Sequence, residues 1–135
     1  MNRVLLDTWF IQALLGRRDK YHEQAKKLFT SLLKGREVWV TEAVLVEVGN
    51  ALSAYDRAAA VEFIKSCYRT KNIQVVTVDT ELLMRATDLY HQRRDKEWGL
   101  TDCISFVVMR DNRLTDALTG DHHFEQAGFQ ILMPS

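Results

Sequence analysis

The chain has 135 residues, a formal net charge of zero, 47% hydrophobic and 27% charged residues. That length suits one domain with its own core and no need of disulfides or a structural metal, and the balanced charge excludes a protein that coats nucleic acid by bulk electrostatics, though not one that binds it through a local basic rim. One Pro and six Gly leave little room for linkers, and no apolar run is long enough to span a bilayer. The start, Met1-Asn2-Arg3-Val4, soon runs into an acid, unlike a signal peptide. Cys67 and Cys103 lack metal-ligand spacing and read as reduced, buried small hydrophobes. The expected compartment is the cytoplasm.

The apolar run Val4-Leu5-Leu6 stops abruptly on Asp7. A short apolar run bounded by polar residues reads as a buried, parallel strand. Asp7 then either caps the next helix or stands at the carboxyl edge, where open α/β sheets bind their ligands. Residues 9–15 read as a short helix, followed by a charged turn, Arg17-Arg18-Asp19-Lys20. Ala25, Leu28, Phe29, Leu32 and Leu33 have helical spacing within 21–34, and Gly35 stops that helix. Val38-Trp39-Val40 is a second strand. Thr41 is the expected N-cap of a helix over 43–55 with an apolar stripe of Leu45, Val48, Leu52 and Tyr55. Glu47 lies off that stripe.

A further helix is expected over 58–69 and a β-branched strand over 73–78. Asp79-Thr80 opens a helix over 81–94, followed by a second charged turn, Arg93-Arg94-Asp95-Lys96-Glu97. Thr101 is the expected N-cap of a helix over 102–110, with Asp102 in its first turn. A strand over 116–119 ends at Gly120-Asp121, residues 122–124 make a helical turn, and 128–133 form an edge strand. This alternation predicts a parallel sheet covered on both faces.

Asp7, Glu47, Asp102 and Asp121 can then face one carboxyl-edge crevice. Each alone has a bland reading: a helix cap, a solvated flank, a helix-dipole partner and a turn residue. Together they repel one another unless something positive sits among them. Oxygen donors select hard cations such as Mg²⁺ or Mn²⁺, and a carboxylate-held divalent ion suits phosphodiester hydrolysis. The adjacent His122 and His123 point about 100° apart on a helical turn and read as structural or surface residues that do not chelate one ion together. Asp95 reads as a solvated turn residue, with support of the neighbouring acids as the alternative, and Asp116, which opens its strand at the wrong end for the crevice, as structural.

The stretches Leu5-Leu6-Asp7-Thr8, Thr41 with Glu47, Trp98-Gly99-Leu100-Thr101-Asp102-Cys103-Ile104-Ser105 and Ala117-Leu118-Thr119-Gly120-Asp121-His122-His123-Phe124 occur in the order found in a known family. The chain resembles the PIN-domain ribonucleases, and among them the VapC-like toxins of type II toxin–antitoxin pairs. The resemblance implies one PIN-like domain over residues 1–135, a Rossmann-like three-layer α/β/α fold with about five parallel strands. It implies a Mg²⁺- or Mn²⁺-dependent endoribonuclease that leaves 5′-phosphate and 3′-hydroxyl ends. Asp7, Glu47, Asp102 and Asp121 match the family's four acids. Asp7, Asp102 and Asp121 would hold the ion, and Glu47 would ligate it or orient the attacking water. Thr8 and Thr119 match supporting hydroxyl residues. The implied partners are an RNA substrate, an antitoxin protein and a second copy in a homodimer, with no membrane. Trp9 departs from the family, which often has a small or polar residue there, and this bears on substrate shape.

Three other readings use the same residues. A receiver-like signalling domain also has an acidic Mg²⁺ pocket and would use Asp79, but it wants a Lys near the last strand and none lies beyond Lys96. A phosphatase with Asp7 as nucleophile wants an acid where Trp9 stands. A catalytically silent PIN-fold binding scaffold would not need the intact acid set. Two basic runs, Arg17-Arg18-Lys20 and Arg93-Arg94-Lys96, are candidates for a phosphate-binding rim, and Trp9, Phe10, Trp39 and Trp98 for base stacking, against solvated faces and core packing as the alternatives.

Overall fold

A computed structural model describes residues 3–133. The first strand, β1 (Arg3–Leu6), is the middle of a sheet in the order β3-β2-β1-β4-β5, with every pairing parallel. The other strands are β2 (Glu37–Thr41), β3 (Ile73–Val76), β4 (Asp116–Leu118) and β5 (Gln130–Ile131). Leu5 pairs with Trp39 on one side and Ala117 on the other. Val4 and Leu6 point into one core and Leu5 into the other, and all three are fully buried. This explains why β1 reads as a continuous apolar run rather than an alternating one.

Helices α1 (Thr8–Leu15), α2 (His22–Gly35), α3 (Glu42–Ala51) and α4 (Arg57–Arg69) pack on the Val4–Leu6 face, with Phe10, Ile11, Val44 and Phe63 in that core. Helices α5 (Thr80–Gln92), α6 (Leu100–Asp111) and α7 (His123–Gln126) cover the other face. There Phe106 meets Trp98 and Phe124 edge-on, each at 4.9 Å between ring centres, the arrangement aromatic quadrupoles prefer. The chain is thus an α/β/α sandwich of the expected class. Cys67 and Cys103 are free and buried.

Several helix ends depart from expectation: α5 stops at Gln92, α2 takes in Gly35, and the ends of α3 and α6 differ for identifiable reasons. α3 stops at Ala51, and Tyr55 is not on its buried stripe but in the following turn, 51% exposed. Ser53 Oγ donates to the Asn50 carbonyl, and Asp56 caps α4 by accepting from the Ala59 N–H. These local bonds compete with another helical turn. α6 begins at Leu100, so Gly99 rather than Thr101 is its N-cap. Asp102, from within the first turn, accepts the Gly99 N–H at 3.2 Å and so extends the helix backwards. Strands β3 and β5 are shorter than expected, at four and two residues.

Candidate active site

The sheet order reverses between β1 and β4, and a crevice at such a switch point is where open α/β sheets bind ligands. Asp7 leaves β1 there, with its N–H bonded to the Leu118 carbonyl of β4. It occupies the N-cap position of α1, yet its side chain makes no capping bond. The carboxylate turns inward instead, and its Oδ2 accepts a 2.8 Å hydrogen bond from Thr119 Oγ1. Only 4% of Asp7 is exposed. Burial pushes its pKa up from 3.8 to about 7, against the Thr119 bond, and the negative charges of Asp102 and Asp121 push the same way.

Thr119 fixes a second acid as well. Its hydroxyl oxygen accepts the Asp121 N–H at 2.9 Å, so one buried hydroxyl positions both Asp7 and Asp121. Asp121 Oδ1 in turn accepts the His123 N–H at 2.9 Å, just before α7. Asp102, in the first turn of α6, faces the same place: His123 Nδ1 lies 3.0 Å from Asp102 Oδ2 and 3.3 Å from Asp121 Oδ2. Burial raises the Asp102 pKa, opposed by the Gly99 N–H and His123 bonds and reinforced by the Asp121 charge. Asp7, Asp102 and Asp121 are therefore joined through Thr119 and His123 into one network. Glu47 stands apart on the exposed side of α3, its Oε1 accepting from Thr8 Oγ1 at 2.8 Å. Thr8 is next to Asp7 and itself buried, so Glu47 is tethered to the rim of the crevice.

His123, expected as a structural or surface residue, lies between two of the acids. Its Nδ1 bridges Asp102 and Asp121. Its signal was its position two residues after Asp121, where a turn folds the side chain back over the acid. The chelation argument also fails. Donor atoms of Asp121, His122 and His123 all lie within 4.8 Å of one another. The 100° step fixes Cβ directions, whereas side-chain torsions bring the two imidazoles to 4.8 Å between ring centres.

Trp9 walls the crevice beside Asp121. A methyl group built on Gly120 would sit 2.4 Å from the Trp9 indole, so only glycine fits beneath that ring. Tyr21 packs on Trp9 at 5.2 Å between ring centres. Phe10 and Trp98 belong to the cores. Asp79 is the N-cap of α5, its carboxylate accepting from the Leu82 N–H, and it follows the edge strand β3 rather than standing at the β1–β4 junction with the other acids. Asp95 is exposed and paired with Arg93, and Asp116 opens β4 at the opposite edge of the sheet.

Among the described residues no Lys or Arg pairs with Asp7, Asp102 or Asp121. Three acids, the buried Asp7 among them, joined in one network without a permanent cation form a site that a divalent ion would relieve. The donors are carboxylate oxygens with imidazole nitrogens at one side, a set that fits a hard or borderline divalent ion.

Known proteins resemble this chain over nearly its whole length. The 23S rRNA-specific endonuclease VapC20 of Mycobacterium tuberculosis is 29% identical over 133 residues, covering 97% of this chain and 98% of the relative. The crystal structure of that VapC20, described as a sarcin-ricin loop cleaving toxin, superimposes with a TM-score of 0.86 at 28% identity, over 97% of this chain and 99% of the other. FitAcB from Neisseria gonorrhoeae superimposes with a TM-score of 0.66 at 16% identity over 97% of each chain. DNA-bound VapBC from Salmonella typhimurium gives 0.62 at 15% over 98% of each; at such identities these two speak for the fold alone. The pattern that defines the PIN domain matches residues 4–130, and the chain belongs to the PIN domain family.

Proposed function

We propose that this protein is a metal-dependent endoribonuclease and the toxin of a toxin–antitoxin pair, acting in the cytoplasm. The observation that carries the reading is the buried Asp7 carboxylate, held by Thr119 and facing Asp102 and Asp121 at the switch point of the sheet. Among the described residues no helix is long and apolar enough to cross a membrane. An rRNA is the first substrate to try, since the full-length relative named above is an rRNA endonuclease. Structural neighbours include FitAB and VapBC assemblies, which makes an antitoxin the expected protein partner, and a homodimer is the expected assembly.

Asp7, Asp102 and Asp121 would hold Mg²⁺ or Mn²⁺, which supplies polarisation of the phosphate and a more acidic water. The chain's own groups do the rest. Thr119 aligns two of the acids with one hydroxyl. Gly99 N–H anchors Asp102. The Glu47 carboxylate, restrained through one oxygen by Thr8, takes a proton from the attacking water as the water oxygen bonds to phosphorus. The bond to the 3′ oxygen breaks, and that oxygen leaves as the 3′-hydroxyl after gaining a proton from solvent.

The test is cleavage of 23S rRNA by the purified protein with Mg²⁺, with Mn²⁺ and with EDTA, alongside Asp7→Asn and Asp102→Asn. Metal-dependent cleavage lost in both folded variants supports the reading. Equal cleavage in EDTA, or full activity in Asp7→Asn, overturns it.

A further inference from the structure

The turn between α5 and α6 carries Arg93, Arg94 and Lys96, and their surroundings differ. Arg93 is occupied: its guanidinium pairs with Asp95 at 3.1 Å and lies over the Trp98 ring at 5.1 Å from its centre. Arg94 and Lys96 instead line a cavity of about 470 Å³. Arg94 Nη1 has only long contacts, 3.4 Å to His91 Nε2 and 3.5 Å to the His91 carbonyl, so most of its donors are free. Lys96 has no ion pair among the described residues. Tyr90 lines the same cavity and is 49% exposed, an aromatic face that no core uses.

The cavity adjoins the acid site through one residue. Gly99 forms part of its wall, and the Gly99 N–H holds Asp102. The next two amides, those of Leu100 and Thr101, begin the 12-residue helix α6 and have no acceptor among the described residues. A helix start with free N–H groups favours an anion. Glu97 is the one acid in the lining, against Arg94 and Lys96 as permanent cations.

We propose that this cavity is a subsite for the substrate RNA strand, in which Arg94 and Lys96 grip a backbone phosphate beside the scissile bond and Tyr90 stacks the adjoining base. The proposal rests on the nuclease reading for its substrate. Phosphate contact to paired cations positions a strand without reading its sequence, and base–aromatic stacking is tolerant of base identity. The subsite therefore contributes grip and register rather than target choice.

The test is binding of a fluorescein-labelled, mixed-sequence single-stranded RNA to the whole chain in EDTA, across a range of KCl. Arg94→Gln/Lys96→Gln is expected to weaken binding about tenfold at low salt and to lower the salt slope by about one. Tyr90→Leu is expected to weaken binding about tenfold with the slope unchanged. Arg94→Lys/Lys96→Arg keeps the charges and is expected to keep the slope. Circular dichroism checks that each variant is folded. Wild-type affinity and slope in Arg94→Gln/Lys96→Gln would overturn the proposal, as would a loss of binding to a poly-glutamate peptide without loss of RNA binding. Cleavage by the wild type is scored separately. A protein that binds RNA through this cavity but cuts none removes the nuclease reading and leaves the subsite; one that cuts while the variant binds normally does the reverse.

Discussion

The tetrapeptide Arg-Arg-Asp-Lys occurs twice, at residues 17–20 and 93–96, and the two copies do different things. In the first, Asp19 accepts the Tyr21 N–H, Lys20 lies over the Tyr21 ring and Arg17 reaches Asp56 at 3.9 Å. Tyr21 packs on Trp9, and Trp9 covers Gly120. That copy ends in an aromatic wall beside the acids. In the second, Asp95 takes Arg93, while Arg94 and Lys96 face a cavity that shares Gly99 with the acid site. The same four residues prop an aromatic wall in one place, where Arg17 and Arg18 line a separate cavity with Tyr55 and Asp56, and in the other line a cavity that adjoins the acids through Gly99. The difference lies in the residues next in the chain, Tyr21-His22 against Glu97-Trp98-Gly99, and in which helix starts nearby. A run of charge acquires its role from its neighbours.

The comparison can be broken most completely by removing the acids that both copies flank. Asp7→Asn is expected to lower RNA cleavage by about three powers of ten, since an ion-held phosphate is stabilised by several kcal/mol, while RNA binding through Arg94 and Lys96 persists; a cleavage assay beside an anisotropy titration reads both. The same variant carries a pH signature. A carboxyl whose folded pKa is raised to about 7 contributes stability that is complete below about pH 4 and lost as pH rises through about 7. The ceiling is about 4 kcal/mol. In EDTA, Asp7→Asn is therefore expected to melt above the wild type at pH 8, with the gap closing toward pH 4. Equal melting curves at both pH values would show that the carboxyl is not strained.

Thr119→Val removes the hydroxyl that aligns Asp7 and Asp121. It is expected to weaken Mn²⁺ binding about 10- to 100-fold by calorimetry. Gly120→Ala sharpens the comparison from the side of the first copy. Its methyl group collides with Trp9, at an expected cost of about 1–3 kcal/mol in urea unfolding. The Trp9 fluorescence is expected to change, with Arg94-dependent RNA binding unaffected. The smallest effect is expected at the first copy itself: Arg18→Gln changes RNA affinity less than about twofold, because an exposed charge distant from the strand acts only through a screened field.

Much of this fold is legible in the residue pattern, and for identifiable reasons. β1 is a continuous apolar run because both its faces are buried, and Thr41 and Asp79 lie at helix starts whose first amides they satisfy. The misplaced ends are decided by bonds that periodicity does not register. Asp102 draws Gly99 into α6, and Asp56 claims the turn that would have carried α3 to Tyr55. In the site, the four acids can be nominated from their places at strand ends and helix starts. Their linkage, with Asp7, Asp102 and Asp121 joined through Thr119 and His123 and Glu47 left outside, cannot, because it depends on distances across the sheet. His123 escapes for the same reason: its partner Asp102 lies 21 residues away, on another helix.

The bond between Thr119 and Asp7 spans 112 positions, and it has a consequence for the order in which the protein comes into being. Strands β1, β2 and β3 and the helices between them are available as soon as the first two thirds of the chain have left the ribosome, and chains begin folding from the amino-terminal end as they emerge. Asp7 is then in place without Asp102, Thr119 or Asp121. The acid site closes only when β4 inserts beside β1, a long-range parallel pairing of the slow-forming kind. A nuclease assembled this way stays inert throughout its own translation and arms itself with its final strands.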